Sequence, residues 1–404
     1  MSGTDKGLWS KPFVFCWLAN FMQGIGFNLF LHFPGFLAEL GATSLVIGWL
    51  SGVMSFTAIA VRPVIGQVMD VKGRRGLILF GSVLNVFVTG LYLLIHEIGW
   101  EVYGIRGIHG ISEAILFTVL FTYAADHVPR GRLTEGLALF GVSGMLPLSI
   151  GGILGDWILQ TQDYHALFWA ALACNGLALF FAVPLRDAHR PVEAATSGER
   201  VGFFGIVKQG NLLPIWWIAT LFFIALSSIF VFLKMFVMSR EVGSVGGFFT
   251  AYAAVAIALR VGLGWVPDRV GPIRVLVPAV CAMAGGMLLL AWAQSSREVL
   301  LAGAFCGLGH GYTFPILSGL VVGRAGEGDR GAALAMFTGI ADLGAVVGSP
   351  LFGWVAEYGG YAALYGLVSI GLIGGLLIFL PWDRWARRNF PLVSESDPDG
   401  RAGA

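Results

Sequence analysis

The sequence predicts an all-α membrane protein with twelve transmembrane helices arranged in two pseudo-symmetric six-helix bundles. Of its 404 residues, 56% are hydrophobic and only 12% are charged, whereas soluble domains carry about 25% charged residues. Apolar runs of spanning length, which takes roughly 20 residues, follow one another along the chain, and part of the first half recurs in the second. This composition excludes a soluble enzyme, a disordered protein, a disulfide-rich module and a nucleic-acid binder.

The apolar runs define the expected spans. Backbone polar groups in lipid must be satisfied within their own element, so each run is expected to be a helix. Runs such as LLPIWWIATLFFIALSSIFVFL also lack the alternation of a transmembrane β-strand. The expected limits are 12–38, 44–69, 77–95, 101–125, 134–158, 164–185, 213–238, 246–266, 274–294, 299–322, 332–356 and 361–382.

Lysine and arginine are distributed unevenly between the connections. With the N-terminus inside, 19 of the 25 basic residues fall in the inner connections and termini, and the outer loops hold only Arg240 and Arg297. This asymmetry predicts that both termini are cytoplasmic. Four basic residues fall within spans: Arg62, Arg106, Lys234 and Arg260.

The longest polar stretch lies at mid-chain and predicts the domain organisation. We expect an N-terminal six-helix bundle at 1–188, a cytoplasmic linker at 189–212, a C-terminal six-helix bundle at 213–383 and a cytoplasmic tail at 384–404. The second part of the linker, GFFGIVKQGN, is expected on the membrane surface. The four cysteines lie inside apolar runs without a C-x-x-C pair, which favours packing roles over a disulfide or metal site.

An internal repeat supports the division into halves. The residues Arg62, Gly66, Asp70 and Gly73 recur 198 positions later as Arg260, Gly264, Asp268 and Gly271. A second echo relates the segment from Arg132 to Phe140 with the segment from Arg330 to Phe337. Parallel repeats of this kind are a known transporter plan, with substrate bound between the halves near the midplane.

The junction between spans two and three carries the motif Gly66-x-x-x-Asp70-x-x-Gly73-Arg74-Arg75. With it, the chain resembles the major facilitator superfamily over essentially its whole length, because this motif looks like the family's signature loop, motif A. The resemblance implies a conformational latch at the cytoplasmic face. The alternative is a positive-inside loop with a helix cap. The expected latch residues are Gly66, Asp70, Lys72, Gly73, Arg74 and Arg75, with Asp268 and Arg269 in the second half.

Span four resembles motif B of the same family. Arg106 and Gly110 match it, whereas His109 replaces a glutamine and Glu113 a small residue. The family links this arginine to proton transfer in many antiporters, and positions 106, 109 and 113 share one helix face. We therefore expect proton coupling by Glu113, Arg106 and His109, with Asp342 in span eleven as the second candidate carrier. The alternative is an ion pair that only fixes the helix.

Span five loosely resembles the antiporter motif C, and span eleven carries its counterpart. The glycine that usually precedes the proline is Leu146 here, and the gap from the proline to the glycine pair is one residue longer. Close helix packing is expected whether or not the resemblance holds. The expected packing residues are Gly144, Pro147, Gly151, Gly152, Gly348, Pro350 and Gly353.

A substrate cavity is expected where polar and aromatic residues fall in spans one, seven and ten. On span one these are Asn20, Gln23 and Phe27; His310 lies near mid-depth in span ten, and Lys234 lies near the outer end of span seven. The alternatives are polar contacts between helices and, for Lys234, a side chain that extends to the interface. Charges of both signs would suit a zwitterionic or carboxylate-bearing solute.

The expected function is secondary active transport, namely proton-coupled efflux of a small organic solute by alternating access. The sequence resembles the bacterial drug and metabolite efflux branch, including arabinose-efflux-like and metallophore-exporter-like permeases. A proton symporter for a sugar or organic acid is the first alternative, and a non-transporting membrane sensor or scaffold is the second. A membrane-embedded enzyme is a third, but it would need a clustered catalytic set, which the sequence lacks.

The expected partners are a small-molecule substrate, protons and the lipid bilayer. No Walker motif is present, so ATP is not expected as a partner, and neither is nucleic acid. We expect no cofactor and no metal. The expected location is the bacterial inner membrane, as a multi-pass monomer.

Overall fold

The computed structural model describes residues 9–129, 132–187, 202–325 and 329–390, and these residues form helices and no strand. In the first half the helices are α1 (Lys11–Leu29), α2 (Phe33–Glu39), α3 (Ser44–Lys72), α4 (Arg75–Leu91), α5 (Trp100–His127), α6 (Leu133–Thr161) and α7 (Tyr164–Ala182). Then follow α8 (Gly202–Val207), α9 (Leu213–Arg240), α10 (Val245–Gly262), α11 (Val266–Val270), α12 (Pro272–Trp292), α13 (Ser296–Arg324) and α14 (Arg330–Asn389). The all-helical prediction is confirmed.

Eleven helical stretches in the described part are long and apolar enough to cross a membrane. The last of them, Ala332–Asn389, has 58 residues, more than twice the length that one crossing requires. Gly360 interrupts it with φ 76° and ψ 171°, a backbone conformation open essentially to glycine alone. The predicted eleventh and twelfth spans both lie in this element, and the break falls in the gap between them.

The first span differs from the prediction of one uninterrupted helix over 12–38. The α-helix ends at Leu29, and a 3₁₀ turn, Phe30–His32, precedes α2. Pro34 at the start of α2 explains the change, because a proline has no N–H to donate to the carbonyl four residues earlier. The narrower turn lies beside α6 and α9, where the two halves meet.

Side-chain caps fix where several spans begin. Hydroxyls of Thr43, Ser244 and Ser295 each accept a backbone N–H in the first turn of the following helix. Ser295 and Glu298 form a reciprocal capping box at the start of α13. Such caps satisfy donors that the helix itself leaves free.

The predicted linker at 189–212 is described only in part, because residues 188–201 lie outside the described ranges. The following residues form α8, which packs on α14. Ile206 is fully buried, and Gly210 lies against the ring of Phe390. Ile206 therefore belongs to the hydrophobic core, and the location of this segment at the membrane surface stays a prediction.

The two halves, α1–α7 and α9–α14, contact each other mainly along two helix pairs, α3 with α14 and α6 with α10. The turn and α2 after α1 also contact α9. One hydrophobic core runs from Leu29 and Phe36 of the first half through most of the second half. A separate core, which includes Phe13, Ile78 and Tyr123, lies within the first half alone. The halves are therefore fused at one end and separate toward the other.

Each half has its own ion pairs at the end that carries most of the arginines, which we call the basic end. In the first half Arg74 Nε lies 3.0 Å from Asp126 Oδ2. In the second half the buried Asp383 carboxylate lies 2.7 Å from Arg324 Nη2 and 3.0 Å from Arg387 Nε. The Arg74 and Arg324 pairs each join two helices of one half, whereas the Arg387 pair lies within α14.

Candidate functional site

Glu113 lies midway along α5 and has neutral hydrogen-bond donors on both carboxylate oxygens. Gln23 Nε2 of α1 donates to Oε2 at 2.5 Å, and Asn85 Nδ2 of α4 donates to Oε1 at 2.8 Å. The Glu113 side chain is 13% exposed. Among the described residues, amides and not an arginine or lysine therefore hold this carboxylate.

A chain of side chains links Glu113 to Arg106. His109 Nε2 lies 3.5 Å from Glu113 Oε1, and His109 Nδ1 shares a hydrogen bond of 3.0 Å with the Tyr92 hydroxyl. Arg106 Nη1 donates to the same hydroxyl at 3.5 Å. The three α5 residues share a face as the spacing predicts, but Tyr92 and His109 stand between the guanidinium and the carboxylate.

Aromatic rings surround Arg106 and His109. The Arg106 guanidinium lies 5.0 Å from the centre of the Phe33 ring, and the His109 ring packs against Phe30 and Tyr92 with centroids 4.8 Å and 5.5 Å away. No carboxylate in the described part of the chain lies within salt-bridge distance of Arg106. Cation–π contact therefore stabilises a buried charge that is costly within a membrane.

A second layer of polar side chains supports Asn85. Asn175 Nδ2 of α7 donates to Thr89 Oγ1 at 2.9 Å and lies 3.5 Å from Asn85 Oδ1. Asn85, Tyr92 and Asn175 are not among the site residues predicted from the sequence. Their only signal is that they interrupt the apolar runs of spans three and six.

The predicted cavity residues of α1 have different surroundings. Gln23 belongs to the Glu113 site, as described above. Asn20 Nδ2 donates to Ser143 Oγ of α6 at 2.8 Å, so this amide joins two helices of one half. The Phe27 ring is 37% exposed and meets the edge of His109 at 6.4 Å between centroids.

Asp342 does not lie with Glu113. It forms an ion pair across the halves with Arg62 of α3. Arg62 also donates to Thr118 Oγ1 at 3.2 Å and lies 5.9 Å from the Phe117 ring centre. Arg62 is not among the predicted site residues; its signal in the sequence is that it is an arginine inside a span.

His310 lies in an aromatic pocket of the second half. Its ring shares a hydrogen bond with the Tyr252 hydroxyl of α10. The rings of Phe222 and Phe314 lie 5.5 Å and 5.8 Å from the His310 ring, measured between centroids. Lys234 is at the far end of α9, where its Cε would lie 2.9 Å from a Cβ built on Gly35 of α2. The lysine thus lies where the first and second halves touch.

The end away from the basic end, which we call the opposite end, is closed by contacts between the halves. A Cβ built on Gly152 of α6 would lie 2.9 Å from the Cα of Gly246 in α10. Asp156 Oδ2 accepts the N–H of Gly246 at 2.6 Å, and His32 Nε2 lies 3.9 Å from Asp156 Oδ1. One turn further along α10, Ser149 and Thr250 share a hydrogen bond of 2.8 Å.

Helices α3 and α14 also contact each other closely at the opposite end. A Cβ on Gly353 would lie 2.6 Å from the Ser44 carbonyl oxygen, and one on Gly48 would lie 3.1 Å from Pro350 Cα. Ser44 and Tyr361 also share a hydrogen bond of 3.0 Å. Only glycine permits backbones to approach this closely.

The remaining predicted packing residues also lie at close approaches. Within the first half Gly151 packs on Asn28, Pro147 packs on Gly24, and Gly144 lies 4.0 Å from Asn20 Nδ2 by the same Cβ measure. In the second half, Gly348 packs on Ser227 of α9.

The basic residues of the predicted latch bind within the first half. The backbone N–H groups of Arg74 and Arg75 donate to Asp187 Oδ1 at 2.7 Å and 2.9 Å. Arg75 Nε donates to the Leu185 carbonyl at 2.7 Å, and Gly73 makes the turn with φ 82°. The side chain of Asp70 lies outside the part of the chain that the structure describes.

The other latch residues lie on open surfaces. A Cβ on Gly66 would meet nothing within 4 Å, so this glycine is not at a helix contact here. Lys72 and Asp268 are exposed, and the Arg269 guanidinium lies over the Trp265 ring at 4.7 Å. In this conformation the described latch residues make contacts inside their own halves.

The family model described as the Major Facilitator Superfamily matches residues 16–296 and 241–397. The chain therefore belongs to the Major Facilitator Superfamily, as its motifs predicted.

Two curated relatives share the name MdtG and are about one quarter identical to this chain in sequence. The chain is 24% identical over 403 residues to the multidrug resistance protein MdtG of Escherichia coli, with 96% of this chain and 97% of that protein covered. It is 25% identical over 415 residues to the MdtG protein of Citrobacter koseri, with 98% and 100% covered.

Solved structures with the same fold include three at low sequence identity. The human organic anion transporter MFSD10 has a TM-score of 0.69 at 17% identity, with 91% of this chain and 99% of that chain covered. The nucleoside transporter NupG has a TM-score of 0.74 at 12% identity, covering 92% and 98%. A bacterial homologue of the human lysosomal transporter Spinster, in an inward-facing and unoccupied conformation, has a TM-score of 0.72 at 13% identity. The match covers 96% of this chain and 98% of that chain.

Membership of this family makes the protein a transporter of small molecules rather than an enzyme. With eleven apolar stretches of spanning length, it is a multi-pass inner-membrane protein.

Proposed function

We propose that the protein exports a small organic solute in exchange for protons, by alternating access between its two halves. The observation that carries this proposal is Glu113, a partly buried carboxylate at mid-membrane held by two amides and a histidine. An ionisable group at this depth is costly, so its presence there favours a functional role. The name shared by the MdtG relatives supports the direction of transport.

The closed and open ends support alternating access. The halves touch at the opposite end, and Gly66 of α3 and Gly262 of α10 meet nothing nearby at the basic end. If the basic end is cytoplasmic, as the lysine and arginine distribution predicts, this conformation receives solute from the cytoplasm. Export then requires the opposite-end contacts to separate while the basic end closes.

Glu113 is positioned to couple that motion to proton movement. Its partners come from three helices of the first half: Gln23 from α1, Asn85 from α4 and His109 from its own helix α5. Protonation removes the charge that these donors hold, so the three helices can shift against one another. Asp342 is the second candidate carrier, because it is paired with Arg62 across the halves.

The test is uphill transport by Glu113→Gln in proteoliposomes. A first screen adds drugs of varied charge to vesicles loaded with the pH dye pyranine, and a solute that moves protons becomes the probe. Glu113→Gln keeps the size of the side chain but cannot release a proton. We expect it to abolish pH-driven accumulation of the probe and to retain downhill counterflow.

Glu101→Gln is the matched control, because Glu101 is an exposed glutamate in the first turn of the same helix. It should transport like the unmodified protein. Intact pH-driven accumulation in Glu113→Gln would contradict the assignment and transfer the role to Asp342. Net proton-driven flux of the probe toward the basic end would contradict export.

A further inference from the structure

Each half carries an arginine at the same place in the repeat, and the two arginines differ in their partners. Arg62 and Arg260 both lie eleven residues before a glycine with positive φ, Gly73 and Gly271 respectively. Arg62 is paired with Asp342 of the other half. Arg260 has no carboxylate within salt-bridge distance in the part of the chain that the structure describes.

Met145 occupies the place in the first half that Asp342 occupies in the second. The register of α6 and α14 follows from three pairs of like residues, all 197 positions apart: Phe140 with Phe337, Gly151 with Gly348 and Trp157 with Trp354. In that register Met145 corresponds to Asp342. Arg260 Nη1 indeed lies 3.0 Å from Met145 Sδ, so the two contacts between halves are related by the repeat. A thioether is only a weak acceptor and leaves the guanidinium without a counter-charge.

The Arg260 guanidinium is also incompletely hydrogen-bonded. Its Nε is buried and has no hydrogen-bond partner among the described residues. A buried cation without a partner is strongly unfavourable unless an anion or a polar group joins it. The place is therefore suited to an anion that the chain itself does not supply.

Two further polar groups lie in the same part of the second half. Tyr252 precedes Arg260 by about two turns on α10, and its hydroxyl is hydrogen-bonded to the His310 ring. The rings of Phe222 and Phe314 pack on His310. Together these residues combine a fixed cation, two hydrogen-bonding groups and an apolar wall.

His310 stands where the repeat places Glu113 of the first half. Gly110 packs on the Met54 carbonyl, and Gly307 packs on the Tyr252 carbonyl. Gly307 lies 197 positions after Gly110, and Tyr252 lies 198 positions after Met54, so the two contacts are related by the repeat. Three residues beyond these glycines stand Glu113 and His310. The first half thus has an acid at mid-depth where the second half has an imidazole, and Arg260 has no carboxylate partner among the described residues.

We propose that Arg260, with His310 held in place by the buried Tyr252, forms a binding subsite for the anionic group of an organic carboxylate, with Phe314 contacting its apolar part. The proposal rests on the proposed function in that this carboxylate is the transported solute. Arg260 can pair with the ligand because Met145 stands where the repeat would place an acid. Arg62 cannot do so, because it is already paired with Asp342.

The experiment compares two probes of the same shape and different charge, 1-naphthoate and 1-naphthamide, by titration calorimetry on the purified full chain in a neutral detergent. We expect naphthoate to bind more tightly than naphthamide. Arg260→Gln should weaken naphthoate about tenfold, the loss of one charge-assisted contact, and leave naphthamide within about twofold.

Met145→Asp supplies the acid that the repeat lacks, so it should weaken naphthoate to a similar extent, while Met145→Leu should not. Retained naphthamide binding shows that each variant is folded. Equal affinity for the two probes in the unmodified protein, or an unchanged preference in Arg260→Gln, would overturn the proposal. The binding test uses no proton gradient, so its outcome is independent of the Glu113→Gln transport result.

An anionic lipid headgroup carries the same charge as a carboxylate. A second experiment therefore distinguishes a bound headgroup from a bound solute. The titration is repeated in nanodiscs of phosphatidylcholine with and without phosphatidylglycerol. We expect naphthoate affinity to change less than about twofold. Loss of naphthoate binding when phosphatidylglycerol is present would identify the headgroup as the occupant and overturn the proposal.

Discussion

The two ends of the molecule differ in how the halves meet. At the opposite end, backbones cross at glycines, as at Gly152 with Gly246, and a carboxylate of one half caps a helix of the other. At the basic end, the ion pairs of Arg74 and Arg324 stay within their own halves. On the same helix α6, Gly152 is at a tight contact and Gly141 meets nothing within 4 Å.

The difference shows that glycine in a span has two distinct uses in this protein. A glycine at the opposite end permits close approach in the conformation described here. A glycine at the basic end, such as Gly66 or Gly141, has free space around it and can make an equivalent contact only if the halves close there. The comparison therefore predicts which substitutions act on which conformation.

Cross-linking the opposite end should have the largest effect. In a background without the native cysteines, Ser149→Cys with Thr250→Cys places two thiols where hydroxyls now lie 2.8 Å apart. A disulfide there would hold the opposite end closed, so uphill transport should fall to the empty-vesicle level under oxidation and recover after reduction. Each single cysteine variant is the control. Undiminished transport with the cross-link formed would show that this end does not open.

Gly152→Leu should have the next largest effect. The new side chain meets the Gly246 backbone, so closure of the opposite end is hindered, and we expect transport to fall at least about fivefold, matching an overpacking cost of about 1–3 kcal/mol. Gly141→Leu on the same helix is the control and should leave this conformation unaltered. Alkylation of a cysteine placed at Thr250 measures the opening. Equal alkylation in both variants would contradict the closed-end geometry.

Asp156→Asn should produce a smaller change. The substitution removes a negative charge from the N-terminus of α10, where Gly246 N–H now donates to it. Such charge–helix interactions contribute about 0.3–2 kcal/mol, so the closed population should fall several-fold. Distances between spin labels on α6 and α10 would report the shift. Asp163→Asn, a cap inside the first half, should leave that distribution unchanged.

Asp70→Asn should have the smallest effect of these variants. It should leave solute affinity nearly unchanged and lower the transport rate moderately. If the motif A latch engages only when the basic end closes, turnover should fall while solute affinity stays within about threefold. Initial rates and equilibrium binding of the screened probe separate the two. A normal turnover in Asp70→Asn would contradict the latch.

Hydropathy and charge distribution predicted the all-helical membrane fold, because every span must satisfy its backbone alone in lipid. Local spacing also placed Arg106, His109 and Glu113 on one face. It could not show that Tyr92 and Asn85 complete that face, because these partners come from a neighbouring helix and depend on packing. Helical period carries no information on which helix lies alongside.

Contacts between the halves were the least predictable part of the site. Asp342 was identified by its depth, but its partner Arg62 lies 280 positions away. The repeat held the missing information, since it relates Arg62 to Arg260 and Asp342 to Met145. Residue-by-residue comparison of the halves, rather than motif matching, would have indicated the unpaired Arg260.

Gly360 joins the last two predicted spans through a single residue instead of a loop. A loop provides slack, because its ends can separate at modest entropic cost. A single left-handed glycine provides none, so any axial displacement of the segment that carries Asp342 is transmitted directly to the terminal segment that carries Asp383. The two segments of this element are thus coupled in translation, and the ion pair of the buried Asp383 with Arg324 joins the terminal segment to α13.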